Sequence, residues 1–157
     1  MSFRRQAKNG ASLTELCVGL LVAIPVFLFA FECAKLIIAM QINDNTCREA
    51  ARVAASGAPA SAERRAESVI SRANEEKASM ISDLRLVSVA NTASPADIKN
   101  VQRNGGTVSG TVTVTTAAAI TTFLARWLTP GGQFLTFQSR QSFPYTYVLP
   151  SPAPANE

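Results

Sequence analysis

Gly10 and Glu15 are the residues whose types and spacing could do chemistry in this chain. Gly10, followed by Ala11, closes a short leader that carries Arg4, Arg5 and Lys8 and no acid. Glu15 is a lone carboxylate, and the sixteen residues behind it, Leu16 to Phe31, carry no formal charge. A carboxylate at the start of a helix is favoured by the helix dipole. Beside lipid, an unpaired charge is costly and demands a cationic partner.

Other chemistry finds little support. The chain has no histidine, which removes histidine-based triads and most catalytic zinc sites. It has no Cys-x-x-Cys, phosphate-binding loop or dinucleotide fingerprint, and its acids do not cluster with metal-ligand spacing. No enzyme activity and no cofactor are expected. Leu16 and Glu32 precede Cys17 and Cys33, so neither cysteine sits in a lipidation motif. Cys33 and Cys47 are fourteen residues apart, about 21 Å along a continuous helix, too far to pair within it. Packing is the favoured role for all three cysteines, with an intermolecular bridge as the alternative. The net charge is +4, of which the leader supplies +3. The remainder is close to neutral and has no basic patch with interleaved aromatics, so no nucleic-acid partner is expected.

Residues 1–10 read as a basic leader that holds the N-terminus inside the cell by the positive-inside rule. A twin-arginine reading of Arg4-Arg5 is disfavoured, because no small-x-small cleavage site lies after the apolar run. Residues 11–40 read as a transmembrane helix, which would carry both Ala11 and Glu15. The uncharged run is somewhat short of the roughly 20 residues a span needs, but counting on to Met40 gives 25. Glu32 and Lys35, three apart on one helical face, could pair. Pro25 predicts a kink or local unwinding. Residues 41–82 read as a helical stalk, weakened locally by Asn43, Asp44 and Asn45, and a second helix. The stalk's apolar stripe is Ala50, Val53 and Ala54. Gly57 and Pro59 stop it. Ser61 is placed to cap the second helix, Ala62 to about Ile81, with Ala62, Ala66, Val69, Ile70, Ala73 and Met80 on one face.

Residues 83–143 read as a small α+β region. Strands are expected from Leu84 to Asn91, Thr107 to Thr116 and Gln133 to about Phe143. The stretch from Thr92 to Gly106 reads as a loop, and Ala117 to Leu128 as a short helix. Residues 144–157, with four prolines, read as an extended or disordered tail. The expected fold class is therefore α+β: a long N-terminal membrane helix, a second helix and a small antiparallel sheet of about three strands.

Gly10, Ala11, Glu15 and the apolar helix together resemble the N-terminal junction of type IV prepilins. The closer resemblance is to the TadE-like minor pseudopilins of tight-adherence pili, which also carry a proline about ten residues past the glutamate, as Pro25 does here. The segment Arg48-Glu-Ala-Ala-Arg-Val-Ala-Ala resembles the helical stretch just beyond the membrane helix of those proteins. Two positions depart from the pattern: Leu16 stands where an aromatic is common, and Ala11 where major type IV pilins carry Phe. The resemblance implies cleavage between Gly10 and Ala11 by a prepilin peptidase. It also implies pairing of Glu15 with the N-terminal amine of another subunit. The implied partners are that peptidase, other pilin subunits, the pilus assembly platform and the membrane. The implied location is the bacterial inner membrane, crossed once with the N-terminus inside, and the C-terminal region periplasmic or extracellular in a pilus. An uncleaved, signal-anchored envelope protein with a small partner-binding domain is the alternative.

Overall fold

A computed structural model describes residues 3–76, 81–123 and 134–150, with side chains from Ser12 onward. Helix α1 spans Phe3–Ala55. A short 3-10 turn, Pro59–Ser61, leads into α2, Ala62–Glu76. Strand β1, Asp83–Asn91, is followed by α3, Pro95–Asn104, then β2, Gly106–Thr121, and β3, Phe134–Leu149. The strands form an antiparallel sheet in the order β1-β2-β3. The fold class is α+β, as the sequence implies. The chain divides into two units, Met1–Ile37 and Ile38–Glu157.

In the second unit, the core forms where alanine-rich helix faces meet the inner face of the sheet. Cys47, Ala50, Ala51 and Ala54 of α1 and Ala62, Ala66, Ile70 and Ala73 of α2 are buried with Leu84, Val112, Val114, Ala118 and Tyr145 of the strands. Small side chains let the helices approach the sheet closely, and burial alternates from Val112 to Thr116 of β2 as the two-residue period of a strand requires. Val53, expected on the stalk's stripe, is half-buried, and Ala51 joins the core instead.

The leader has no apolar periodicity, yet its backbone from Phe3 is part of α1. The helix also continues through Pro25 and through Asn43-Asp44-Asn45. At the latter, side-chain bonds to the sheet offset the weak local propensity. Helix α2 is described as far as Glu76, and Ile81 is not helical; residues 77–80, Met80 among them, lie outside the described residues. Ser61 is the last residue of the 3-10 turn, and its hydroxyl donates to the Ala58 carbonyl and accepts from Arg65 Nη1.

Part of the expected loop at 92–106 is helix α3. Ser94 caps it by accepting from the Ala96 amide at 3.2 Å, Pro95 occupies its first turn, and Gly105 closes it at φ 74°. These are helix start and stop signals that also read as turn residues. The expected helix from Ala117 is strand as far as Thr121, because pairing with β3 overrides alanine's helix propensity. Residues 124–128 of that expectation lie outside the described residues. Strand β3 does not stop at Phe143 but runs to Leu149, its added residues pairing with Gly106–Thr111 of β2. Pro144 is tolerated within it because β3 is an edge strand. Of the expected tail, residues 144–149 are therefore strand, and residues 151–157 lie outside the described residues.

Candidate assembly helix and its anchor

Gly10 and Ala11 lie in the first turns of α1, and Glu15 is four residues past Ala11, about 6 Å along the axis. Pro25 is ten residues further on, about 15 Å along the same helix. Glu15 is exposed, and so is every residue from Ser12 to Phe31 except the half-buried Ala23. Exposure is not confined to one stripe: Leu16, Leu21, Phe27 and Phe31 are 59%, 74%, 74% and 64% exposed. A helix that is apolar all round and uncovered presents a surface that water disfavours. Among the described residues, α1 is the one helix long and apolar enough to cross a membrane. Sixteen residues give about 24 Å, and the 25 residues to Met40 about 37 Å, against a hydrocarbon thickness of about 30 Å.

Within the first unit, Lys35 Nζ donates to Glu32 Oε1 at 2.5 Å and lies 5.8 Å from the centre of the Phe31 ring. The expected pair thus forms. The ammonium is held by a carboxylate and an aromatic face, which lowers the cost of carrying two charges in an apolar stretch. Cys17 is exposed, Cys33 half-buried and Cys47 buried, and all three are free thiols. The packing role is clear for Cys47, whose thiol donates to the Val114 and Ser139 carbonyls at 3.3 and 3.4 Å.

Past the apolar stretch, α1 is fastened to the sheet by residues that read in the sequence only as helix-weakening. Asn43 is 1% exposed; its Nδ2 donates to the Phe137 carbonyl at 3.2 Å and its Oδ1 accepts from Thr116 Oγ1 at 2.8 Å. Asp44 Oδ1 accepts from Gln141 Nε2 at 2.8 Å and Ser139 Oγ at 2.9 Å, with Arg48 3.6 Å from the other oxygen. The Gln141 and Ser139 hydrogen bonds, with a smaller contribution from Arg48, hold its carboxyl below the ordinary range. A surface groove of about 520 Å³ lies here, lined by Met40, Asn43, Asp44, Phe137, Gln138 and Ser139. The sequence clue is a polar cluster in the middle of a helix, since such residues persist there when tertiary partners satisfy them.

The far end of α1 is closed by Arg65 of α2. Its Nε donates to the Val53 carbonyl at 3.0 Å, its Nη2 to the Ala54 carbonyl at 2.6 Å and its Nη1 to Ser61 Oγ at 2.6 Å. Carbonyls at a helix C-terminus lack intrahelical partners, and a guanidinium there satisfies both hydrogen bonding and dipole. Gly57 makes room, since a Cβ at that position would lie 3.0 Å from Arg65 Nη1.

Among the described residues, no group of three or more His, Cys, Asp or Glu side chains is arranged to hold a metal. No family model, curated protein or solved structure matches the chain. The functional reading therefore rests on the residues of α1 and their geometry.

Proposed function

We propose that this chain is a structural subunit of a type IV-like pilus, a minor pseudopilin of the TadE type, assembled through α1. The observation that carries this reading is a helix apolar on all sides and uncovered from Ser12 to Phe31, with Glu15 as its one acid. Such a surface needs lipid before assembly and neighbouring helices after it. Cleavage after Gly10 would place a new amine at Ala11, one turn before Glu15, where the helix dipole favours the carboxylate. An amine on a neighbouring subunit would supply the cation that Glu15 requires near lipid. Gly10 is the weakest helix former in the leader, so the backbone opens there at the lowest cost. The protein would sit in the bacterial inner membrane with its N-terminus inside, and the unit from Ile38 would be presented outside the cytoplasm, as the basic leader favours.

The test is co-expression with an active prepilin peptidase and intact-mass measurement of the product. Loss of the first ten residues from the native chain, with the Gly10→Val variant left whole, is the expected result. A full-length native chain under the same conditions overturns pilin-type processing and leaves an uncleaved, signal-anchored envelope protein.

A further inference from the structure

We infer that the end of the sheet formed by the last pair of β2 and the first of β3, with Phe134 as its anchor, lies in the interface of the membrane that α1 crosses. The inference rests on the membrane-spanning reading of α1. Its geometry lies wholly within the unit that begins at Ile38. Two anchor points set the direction of α1 across the sheet. Cys47 bonds the carbonyls of Val114 and Ser139, and Asn43, one turn earlier, bonds Thr116 and the carbonyl of Phe137. Moving toward the N-terminus of α1 therefore means moving toward the start of β3. Met40 continues the trend by sharing the groove with Phe137.

The register carries the sheet further the same way, through Ala118↔Phe137 and Ile120↔Leu135 to Thr121↔Phe134. Phe134 is three strand residues beyond Phe137, about 10 Å. Ile38 is five helical residues before Asn43, about 7.5 Å. The tip of the sheet thus reaches at least as far as the point where α1 enters this unit. That point is one peptide bond from Ile37, in the same uninterrupted run of apolar residues from Leu36 to Met40.

Large apolar side chains are exposed at this end, beside the polar Ser82, Asp83 and Thr121. Phe134 is 50% exposed, Phe123 65%, Met40 48% and Ile38 41%. Along its middle the outward face of the sheet is polar, with Thr111, Thr113 and Thr115 on β2 and Gln138, Arg140 and Ser142 on β3, and a large apolar side chain is exposed again at the far end, Val148 at 64%. Large apolar side chains, with polar neighbours, at the end of a unit whose chain leads on by one peptide bond into a membrane segment fit the headgroup–acyl boundary, where aromatic and aliphatic groups bury part of their surface. The occupant of this surface is the lipid interface.

The full chain, with Trp127→Phe to remove its one native tryptophan, would be reconstituted into phosphatidylcholine–phosphatidylglycerol vesicles whose acyl chains are brominated near the headgroup. Single tryptophans would be placed by Phe134→Trp, by Phe27→Trp in the apolar helix and by Ser109→Trp toward the other end of β2. Quenched, blue-shifted emission at positions 134 and 27, with unquenched emission at 109, is the expected result. Quenching at 27 with position 134 behaving like 109 overturns this inference and leaves the membrane helix intact. No quenching at 27 overturns the membrane-spanning reading and this inference with it.

Discussion

Thr116 Oγ1 donates to the side-chain oxygen of Asn43 across 2.8 Å, and both residues are essentially excluded from solvent. This bond joins the middle strand of the sheet to α1 just past its apolar segment. The other end of the same amide donates to the Phe137 carbonyl on β3, so one side chain ties the helix to two strands. A buried polar group held this way positions an element firmly, because any shift leaves a donor or acceptor unpaired.

Replacing Asn43 by Ala should therefore destabilise the second unit by about 1–3 kcal/mol, the usual range for stranding a buried hydrogen-bonding group. Thr116→Val should cost less alone. Combined with Asn43→Ala it should add less than its single effect, because the partner is already gone. Denaturant unfolding of the four proteins in detergent checks this; strictly additive effects would show that the two side chains are not coupled.

Arg65→Ala should cost about 1–3 kcal/mol, since it frees the Val53 and Ala54 carbonyls at the end of α1. Arg65→Lys should recover part of this at most, because an ammonium cannot span the three acceptors as the planar fork does. Hydrogen exchange in the last turn of α1 is the local readout, and faster exchange in both variants is expected.

Gly110 lies under Tyr145, and a Cβ there would stand 3.0 Å from the phenolic oxygen and 3.2 Å from the Ala93 amide nitrogen. Gly110→Ala should push Tyr145 away from Asn91 Oδ1, to which it now donates at 2.8 Å. A loss of about 1–3 kcal/mol is expected, as for other overpacked sites. Thermal unfolding of Gly110→Ala beside Tyr145→Phe measures both sides of this contact.

Asp44 sets a pH dependence. Its pKa is lowered from the ordinary 3.8 in the folded chain, chiefly by the hydrogen bonds from Gln141 and Ser139. The unfolded state then binds the proton more tightly, so the contribution is full above the unfolded value and is lost as pH falls through the folded one. Stability should decline on acidification below about pH 4, and Asp44→Asn should flatten that part of the curve. An unchanged acid limb in the variant would assign the decline to other carboxylates.

Glu15→Ala should leave leader removal and membrane insertion intact but reduce incorporation into filaments. Mass measurement, membrane fractionation and immunoblotting of sheared pili separate these steps. Normal incorporation would show that the carboxylate does not pair with a neighbouring subunit.

Features that depend on local pattern are legible in the residues alone. The run from Leu16 to Phe31, the Glu32–Lys35 spacing, the stripe Ala62, Ala66, Ile70 and Ala73 and the alternation from Thr107 to Thr116 each carry a period or composition that one element satisfies. Gly10 and Glu15 stand out as candidates for the same reason: they interrupt a pattern at a defined spacing. Other features exist only through contacts distant in the chain. Ala117 to Thr121 favours helix locally and becomes strand because β3 lies beside it. Residues 144–149 look like tail until Gly106–Thr111 supplies their hydrogen bonds. Asn43 and Asp44, weak helix formers in isolation, become the fastening of α1 once the sheet presents Thr116, Phe137, Ser139 and Gln141 to them. Their partners are 73 to 97 residues away in the chain, a separation that no local periodicity can encode.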